Sequence, residues 1–321
     1  MSLRLTVRRD AYLGHLRRTI QDTPHLVPVV KGNGYGLGRT TLIGLVDELL
    51  GPSCKVAVGT VHEIGDIGID HPVQIMTPLG DLDRAISLPA TAIPTVASTR
   101  DLAVLHEIGW RGRVTVKLAS SMRRFGVSHD EFPALVQKVN LAGCLVDSCS
   151  IHLPTAGSEA EHLSELRSWI PSIPECVTVS ASHITAAIVA ELMDEDPKRI
   201  IETRMGTQLW HGNKEHFALH AEVLTTHECS TGHTAGYRST SVPGNGRVVV
   251  IGAGTAQGVS PLPNGDSPFH FARTRLTLLE PPYMHNALAF VPDGQPCPDV
   301  GDMVDVQRPL TMVHADVVGW I

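Results

Sequence analysis

The stretch Val29-Val30-Lys31-Gly32-Asn33-Gly34-Tyr35-Gly36-Leu37-Gly38 decides how the rest of the chain is read. A run from His25 to Val30, mostly apolar, ends on one lysine, and glycine then returns at every second position. A short run of this kind reads as a buried strand. A lysine at its end sits at the mouth of a sheet or barrel rather than in its wall. Glycines so spaced let backbone pass close to a bulky group and take up φ > 0. An amine beside a backbone cradle suits a carbonyl compound with a phosphate tail; the plainer alternative is a solvated lysine capping a strand. Two phosphate loops are excluded by spacing. Arg39 stands where a dinucleotide fingerprint needs its third glycine, and Gly38 is followed by Arg39-Thr40, not by the Lys-Ser/Thr that closes a P-loop.

Outward from this stretch the pattern alternates. Leu3–Val7 reads as an edge strand, and Asp10–Ile20 has helical spacing with Asp10 as a cap. Pro28 lies inside the lysine strand, where it removes a ladder donor. Strand-like runs follow at 55–60, 73–76, 92–96, 114–118, 145–152, 177–180 and 200–203. Helix-like segments such as 41–50, 99–108, 130–139, 158–169 and 184–193 lie between them. With the lysine strand this predicts eight strands, each but the last followed by a helical stretch. The alternation suggests an α/β (β/α)8 barrel of the TIM type, with a doubly wound open sheet as competitor. From about Phe217 the period changes to strands at 218–227, 234–241, 247–252, 274–279, 287–291 and 303–306, broken by turns such as Asn264-Gly265-Asp266. The expected division is a barrel over 1–216, with residues 1–9 open to pairing with the second domain, and an all-β domain over 217–321.

The chain has 321 residues, 42% of them apolar and 4% aromatic, and a formal net charge of −7. No basic block points to nucleic acid or an anionic membrane. Its six cysteines form no Cys-x-x-Cys pair, which points to a reducing compartment and away from a zinc ribbon or disulfide framework. Seventeen histidines include no His-Glu-x-x-His, so no metal site is expected. No apolar run approaches the roughly 18 residues of a membrane span. A cytoplasmic protein is the expectation.

The lysine stretch resembles the cofactor-lysine motif of alanine racemases, fold-type III enzymes that use pyridoxal 5'-phosphate. The resemblance implies that Lys31 bonds the cofactor and that Tyr35 reaches its phosphate. Further motifs follow in family order. Val116-Lys117-Leu118-Ala119-Ser120-Ser121-Met122-Arg123-Arg124-Phe125-Gly126 is similar to a segment whose arginine binds the substrate carboxylate, here Arg124, steered by a lysine that is often carbamylated, here Lys117. A guanidinium matches a carboxylate bidentately; the plain alternative is a surface arginine pair. His152 is implied to pack against the cofactor ring. Ser182, or alternatively His183, is implied to contact the phosphate, and either could instead cap the next helix. Glu202-Thr203-Arg204-Met205-Gly206-Thr207 resembles the segment whose arginine, Arg204, faces the pyridine nitrogen, with the amides of Gly206 and Thr207 on the phosphate. An arginine does not hand over its proton, so carbanion delocalisation is restrained.

Gly236-Tyr237 resembles the family's Gly-Tyr, whose tyrosine is the second catalytic base and comes from the partner subunit. Lys31 and Tyr237 would then serve opposite faces of an amino-acid substrate, in a head-to-tail homodimer, with His152 and Arg204 assisting the phenol. Met284 falls on a substrate-binding position. The family's Gly-Tyr-Ala-Asp-Gly is Gly254-Thr255-Ala256-Gln257-Gly258 here, its Met-Asp is Met284-His285, and a further phosphate-binding tyrosine has no counterpart before Ile321. These departures imply a wider entrance and a substrate bulkier than alanine. A fold-type III decarboxylase and a pyridoxal-phosphate-binding protein without turnover are the alternative functions.

Overall fold

A computed structural model describes residues 3–68 and 70–321 of the chain. It divides into two compact units: His15–Gly212, and the described residues of Met1–Gly14 together with Asn213–Ile321.

Two elements open the chain, β1 (Leu3–Val7) and α1 (Arg9–Gln21), and the boundary between the units falls within α1. The first unit is built on eight parallel strands: β2 (Leu26–Pro28), β3 (Val56–Val58), β4 (Val73–Ile75), β5 (Ala92–Val96), β6 (Arg113–Lys117), β7 (Leu145–His152), β8 (Thr178–Ser182) and β9 (Ile201–Met205). They pair in the order β2-β9-β8-β7-β6-β5-β4-β3. A bridge between Val29 and Ala57 joins the two ends into a barrel. The open-sheet alternative is thereby excluded. Pro28 is accommodated where pairing is weakest. Val29 donates to Met205 O on the β9 side and Val30 to Ala57 O on the β3 side. Alternation along the strand therefore turns position 28 toward β3, where the seam is a single bridge.

Five α-helices follow strands at the expected places: α2 (Arg39–Leu50), α3 (Thr99–Glu107), α4 (Phe132–Leu141), α5 (Glu159–Trp169) and α6 (Ala186–Glu195). Their starts obey capping rules; Ser98 and Thr185 cap α3 and α6, and Ser158 with Glu161 forms a capping box on α5. The expectation of a helix after every strand but the last is corrected at three points. β3 and β4 are followed only by 3-10 turns, Val61–Asp66 and Asp81–Asp83. Gly65, Gly68, Pro72, Pro78 and Gly80 punctuate these segments too densely for an α-helix. β9 is followed by a five-residue helix, α7 (Thr207–His211).

Alternate residues on the strands carry a buried polar column. At its base Lys55 Nζ meets Asp147 at 2.9 Å and Glu202 at 2.7 Å, and Arg113 reaches Asp147 at 3.2 Å. The β6–β7 register shifts between Val114 and Thr115, making Asp147 the extra residue of a bulge. Above them Gln74, Thr115 and Ser148 form a hydrogen-bonded row. Lys117, His152, Ser182 and Arg204 complete the column at the carboxyl ends of β6 to β9, the end where barrel enzymes place their sites.

The second unit is antiparallel. β1 pairs with β10 (Phe217–Cys229) and, in parallel, with the C-terminal strand Val317–Trp320. The expected single strand over 234–241 is a hairpin, β11 (Thr234–Ala235) and β12 (Thr240–Ser241), turning at 236–239. Gly236 and Ser239 have positive φ, 84° and 52°, which an extended strand does not allow. β13 (Gly246–Ile251), β14 (Phe269–Phe271), β15 (Thr274–Arg275), β16 (Thr277–Leu278), β17 (Ala287–Pro292), β18 (Met303–Val306) and β19 (Val317–Trp320) complete the unit. β14 and β19 were not foreseen, and the run expected over 274–279 is split into β15 and β16.

Among the described residues no helix is long and apolar enough to cross a membrane, and no cluster of three or more metal-ligating side chains occurs.

Candidate active site

The lysine strand leaves the barrel wall at Val30, which is buried, and the chain then turns outward at Lys31. Trp210 Nε1 donates to Val29 O at 2.8 Å and fixes this exit. Glu63 accepts from Gly32 N at 3.0 Å and from Gly59 N at 2.6 Å, tying the residue after Lys31 to the end of β3. Arg39 anchors the same glycine through its carbonyl. Partial burial of the Lys31 amine and the nearby Arg124 charge lower its pKa, and Glu63 opposes them.

Tyr35 follows in left-handed backbone, φ 56°, and is 5% exposed. Burial, with a contribution from Glu63, raises its pKa and keeps the phenol neutral. Its hydroxyl lies against Gly206: a Cβ built there would sit 2.0 Å from Tyr35 Oη. Gly206 has φ −121°, so close approach and not left-handed backbone requires a glycine. His211 Nε2 lies 2.6 Å from Tyr35 O and its ring meets the tyrosine edge-on.

Arg204 is buried beneath the mouth. Nη1 donates to Ser180 O at 2.5 Å and Ser180 Oγ at 2.9 Å, and Nη2 to Ile151 O at 2.6 Å. Among the described residues its Nε is buried with no partner, as is Thr203 Oγ1. Burial brings the Arg204 pKa down to about 10, against the pull of Glu202, so the group stays protonated at neutral pH. Ser182 Oγ and His152 Nδ1 share a short hydrogen bond. Burial, followed by the charges of Lys117 and Arg204, lowers the His152 pKa to about 3, so the imidazole is neutral. His183, in left-handed backbone, binds Leu153 O through Nδ1 at 2.7 Å and tilts against His152 at 4.8 Å between ring centres. Thr185 caps α6, so neither Ser182 nor His183 serves that purpose.

These groups surround a cavity of about 580 Å3. Lys31, Tyr35, His152, Ser182, His183, Arg204, Gly206 and Thr207 all line it. Arg124 stands outside that lining. It is exposed, with its guanidinium 5.5 Å from the centre of the Phe125 ring. Its loop is closed by hydrogen bonds between Ala119 and Val127 and between Val127 and Lys117. Lys117 is 5% exposed, and among the described residues no hydrogen bond or ion pair reaches its amine. Burial, then Arg204 and Arg124, depress its pKa well below the usual range. The mouth thus collects the basic groups Lys31, Lys117, Arg124 and Arg204, an arrangement that attracts anions and offers two amines of reduced basicity.

Tyr237 and Met284 belong to the other unit. Tyr237 is 88% exposed at the tip of the β11–β12 hairpin, and Met284 is 66% exposed. Thr255 and Ala256 donate their amides to the carbonyls of Tyr283 and Met284.

Sequence reasoning missed Glu63, His211 and Thr203. Glu63 gave a faint signal, as a lone acid just beyond a predicted strand. His211 gave none, because its contacts with Tyr35 join segments distant in sequence, and Thr203 stood inside the Arg204 motif without a role of its own.

A closed parallel barrel with a lysine at its carboxyl-end mouth, joined to an antiparallel unit, is the architecture of the alanine racemase fold. Residues 11–213 match the family described as "Alanine racemase, N-terminal domain", and the chain belongs to that family. Among solved structures it is similar to the alanine racemase from Bartonella henselae with covalently bound pyridoxal phosphate, at TM-score 0.74 and 17% identity over 100% of both chains. It is also similar to alanine racemase from E. faecalis, at TM-score 0.70 and 17% identity over 100% of this chain and 98% of that one. For alanine racemase of Clostridium difficile 630 the TM-score is 0.72 and the identity 15%, over 100% of this chain and 96% of that one. At these identities the likeness establishes the fold. No curated protein matches the chain by sequence.

Proposed function

We infer that the protein is a pyridoxal 5'-phosphate-dependent amino-acid racemase acting on a substrate bulkier than alanine, and that it works as a head-to-tail homodimer. The observation that carries this reading is the buried, unpartnered Nε–H of Arg204 on the cavity under Lys31. A buried donor left alone is costly, and a ring nitrogen is an acceptor of the right kind. The cation-rich mouth and the close approach at Gly206 agree with an anionic phosphate. The residues present therefore fit the cofactor.

Pyridoxal phosphate bound here would supply an aldehyde for an amine and an electron sink that acidifies the substrate Cα–H. Lys31 holds and releases a proton at Nζ, on the face served by β2. Its lowered basicity helps it release that proton near neutral pH. Tyr237, from a second copy of the chain, holds the proton on the opposite face. Arg204 remains protonated and donates through Nε without giving up its proton, which restrains delocalisation and disfavours side reactions. The same charge weighs against the decarboxylase alternative, which calls for a carboxylate. The Tyr35 hydroxyl, Ser182 or His183, and the amides of Gly206 and Thr207 would hold the phosphate. His152 packs as a neutral ring, and Arg124 pairs with the substrate carboxylate. Thr255, standing where the family has a tyrosine, supports the wider entrance.

The test is a screen for Cα–hydrogen exchange in D2O with the cofactor-loaded protein, across L- and D-amino acids. Exchange into both enantiomers of a substrate larger than alanine is the expected result. Cofactor binding with no exchange for any amino acid would overturn the reading, and efficient turnover of alanine alone would overturn the substrate preference.

A further inference from the structure

Glu280 is a buried carboxylate held by neutral donors. It is 5% exposed, and among the described residues no ion pair reaches it. Its partners are neutral donors: Arg238 N at 2.9 Å and Thr240 Oγ1 at 2.8 Å on Oε1, and Tyr283 Oη at 2.6 Å on Oε2. The Tyr283 hydroxyl, while donating to Glu280, accepts from Tyr237 N at 3.3 Å. The two tyrosine rings meet edge-on, 4.6 Å between centres.

Three of these contacts bear on the hairpin that carries Tyr237: Tyr237 N and Arg238 N belong to its tip and Thr240 to its second strand. The β11–β12 ladder ends at Ala235 and Thr240, so residues 236–239 lie outside it. The tip itself contributes one internal hydrogen bond, from Ser239 N to Gly236 O at 3.2 Å. Gly236 is pressed against the carboxylate: a Cβ there would lie 2.4 Å from Glu280 Oε1 and 2.6 Å from Tyr283 Oη. The hydrogen bond from Tyr283 and those from the tip hold the Glu280 carboxyl below its usual range, so it is ionised and accepts from all its donors at neutral pH. A two-residue ladder does not fix a four-residue tip unaided.

We propose that Glu280 and Tyr283 form a carboxylate–phenol clamp that positions the exposed phenol of Tyr237 for proton transfer, a role resting on the reading of Tyr237 as the second base. Glu280 and Tyr283 act through Tyr237 and are positioning residues. The clamp explains how a side chain 88% exposed at a hairpin tip can keep a defined direction. Its specificity is chemical: a carboxylate accepts from the backbone, the threonine and the phenol together, whereas an amide offers one accepting oxygen.

The test uses full-length protein loaded with cofactor and the variants Glu280→Gln, Tyr283→Phe and Tyr237→Phe. Backbone amide exchange over 234–241 reads the clamp directly and needs no activity. Both clamp variants are expected to speed exchange at the amides of Tyr237 and Arg238 by about tenfold or more. Cα–hydrogen exchange, measured separately from each enantiomer, reads the consequence. Tyr237→Phe is expected to abolish exchange from one enantiomer, and the clamp variants to slow that same enantiomer by about tenfold to a hundredfold, the scale of a misplaced group. The opposite enantiomer and the cofactor absorbance are expected to stay unchanged. Unaltered amide exchange in both clamp variants, or an equal loss for both enantiomers, would overturn the clamp. If Tyr237→Phe left both enantiomers untouched, the base reading would fall and the clamp would position nothing catalytic; the amide data would distinguish that failure from a missing clamp.

Discussion

Gly206→Ala is a one-carbon perturbation with a consequence that follows from the structure. The added Cβ would lie 2.0 Å from Tyr35 Oη and 2.8 Å from Cζ, where ordinary contact begins near 3.4 Å. The phenol must therefore retreat by about 1.4 Å. It has little room: Tyr35 is buried, its ring abuts His211 and its carbonyl is bonded to His211 Nε2. Overpacking of this kind costs about 1–3 kcal/mol, or a thermal midpoint lower by roughly 2–4 °C for each kcal/mol. A charge-assisted bond from Tyr35 to a phosphate, worth about 1.5–3 kcal/mol, would be lost with it, so pyridoxal phosphate should bind about tenfold to a hundredfold more weakly. Thermal unfolding of the cofactor-free protein and an absorbance titration separate the two effects. Tyr35→Phe removes the worst of the collision, so the double variant should be more stable than the sum of the single losses. A Gly206→Ala protein as stable as the parent and equally able to bind the cofactor would refute the reasoning.

Three other outcomes are expected. His152 is neutral in the fold with a pKa near 3, against 6.5 when unfolded; the unfolded chain binds the extra proton between those values, so stability is full above pH 6.5 and falls as pH drops toward 3. Denaturant midpoints of His152→Gln should therefore be less acid-sensitive across that window than those of the parent, and equal slopes would contradict this. Lys55→Met strands Glu202 at the base of the barrel, while Asp147 keeps Arg113, and should cost about 3 kcal/mol at neutral pH in urea unfolding; an unchanged midpoint would contradict it. Lys117, depressed among cations, should take up CO2 as a carbamate; native mass spectrometry in bicarbonate should find one added CO2 that Lys117→Met lacks, and identical spectra would contradict this.

The barrel was legible because its eight strands are short apolar runs with little else they could become. Its bulge at Asp147 and the missing helices after β3 and β4 were not, since both depend on register and on glycine and proline density. In the second unit the turn at Gly236 was read as strand: alternation over 234–241 is the same whether the chain runs straight or folds back. Lys31, Arg204 and Gly206 could be singled out from motif resemblance. What surrounds them could not. The solitary Nε of Arg204, the contact of Tyr35 with Gly206 and the carboxylates of Glu63 and Glu280 are products of packing between segments far apart in the chain.

Six lysines stand in this chain, at positions 31, 55, 117, 138, 198 and 214. Loading the protein with pyridoxal phosphate, reducing it with borohydride and mapping the peptides asks which of them carries the cofactor. A pyridoxyl group on Lys31 alone is expected; a group on any other lysine, or none, would contradict the assignment of Lys31.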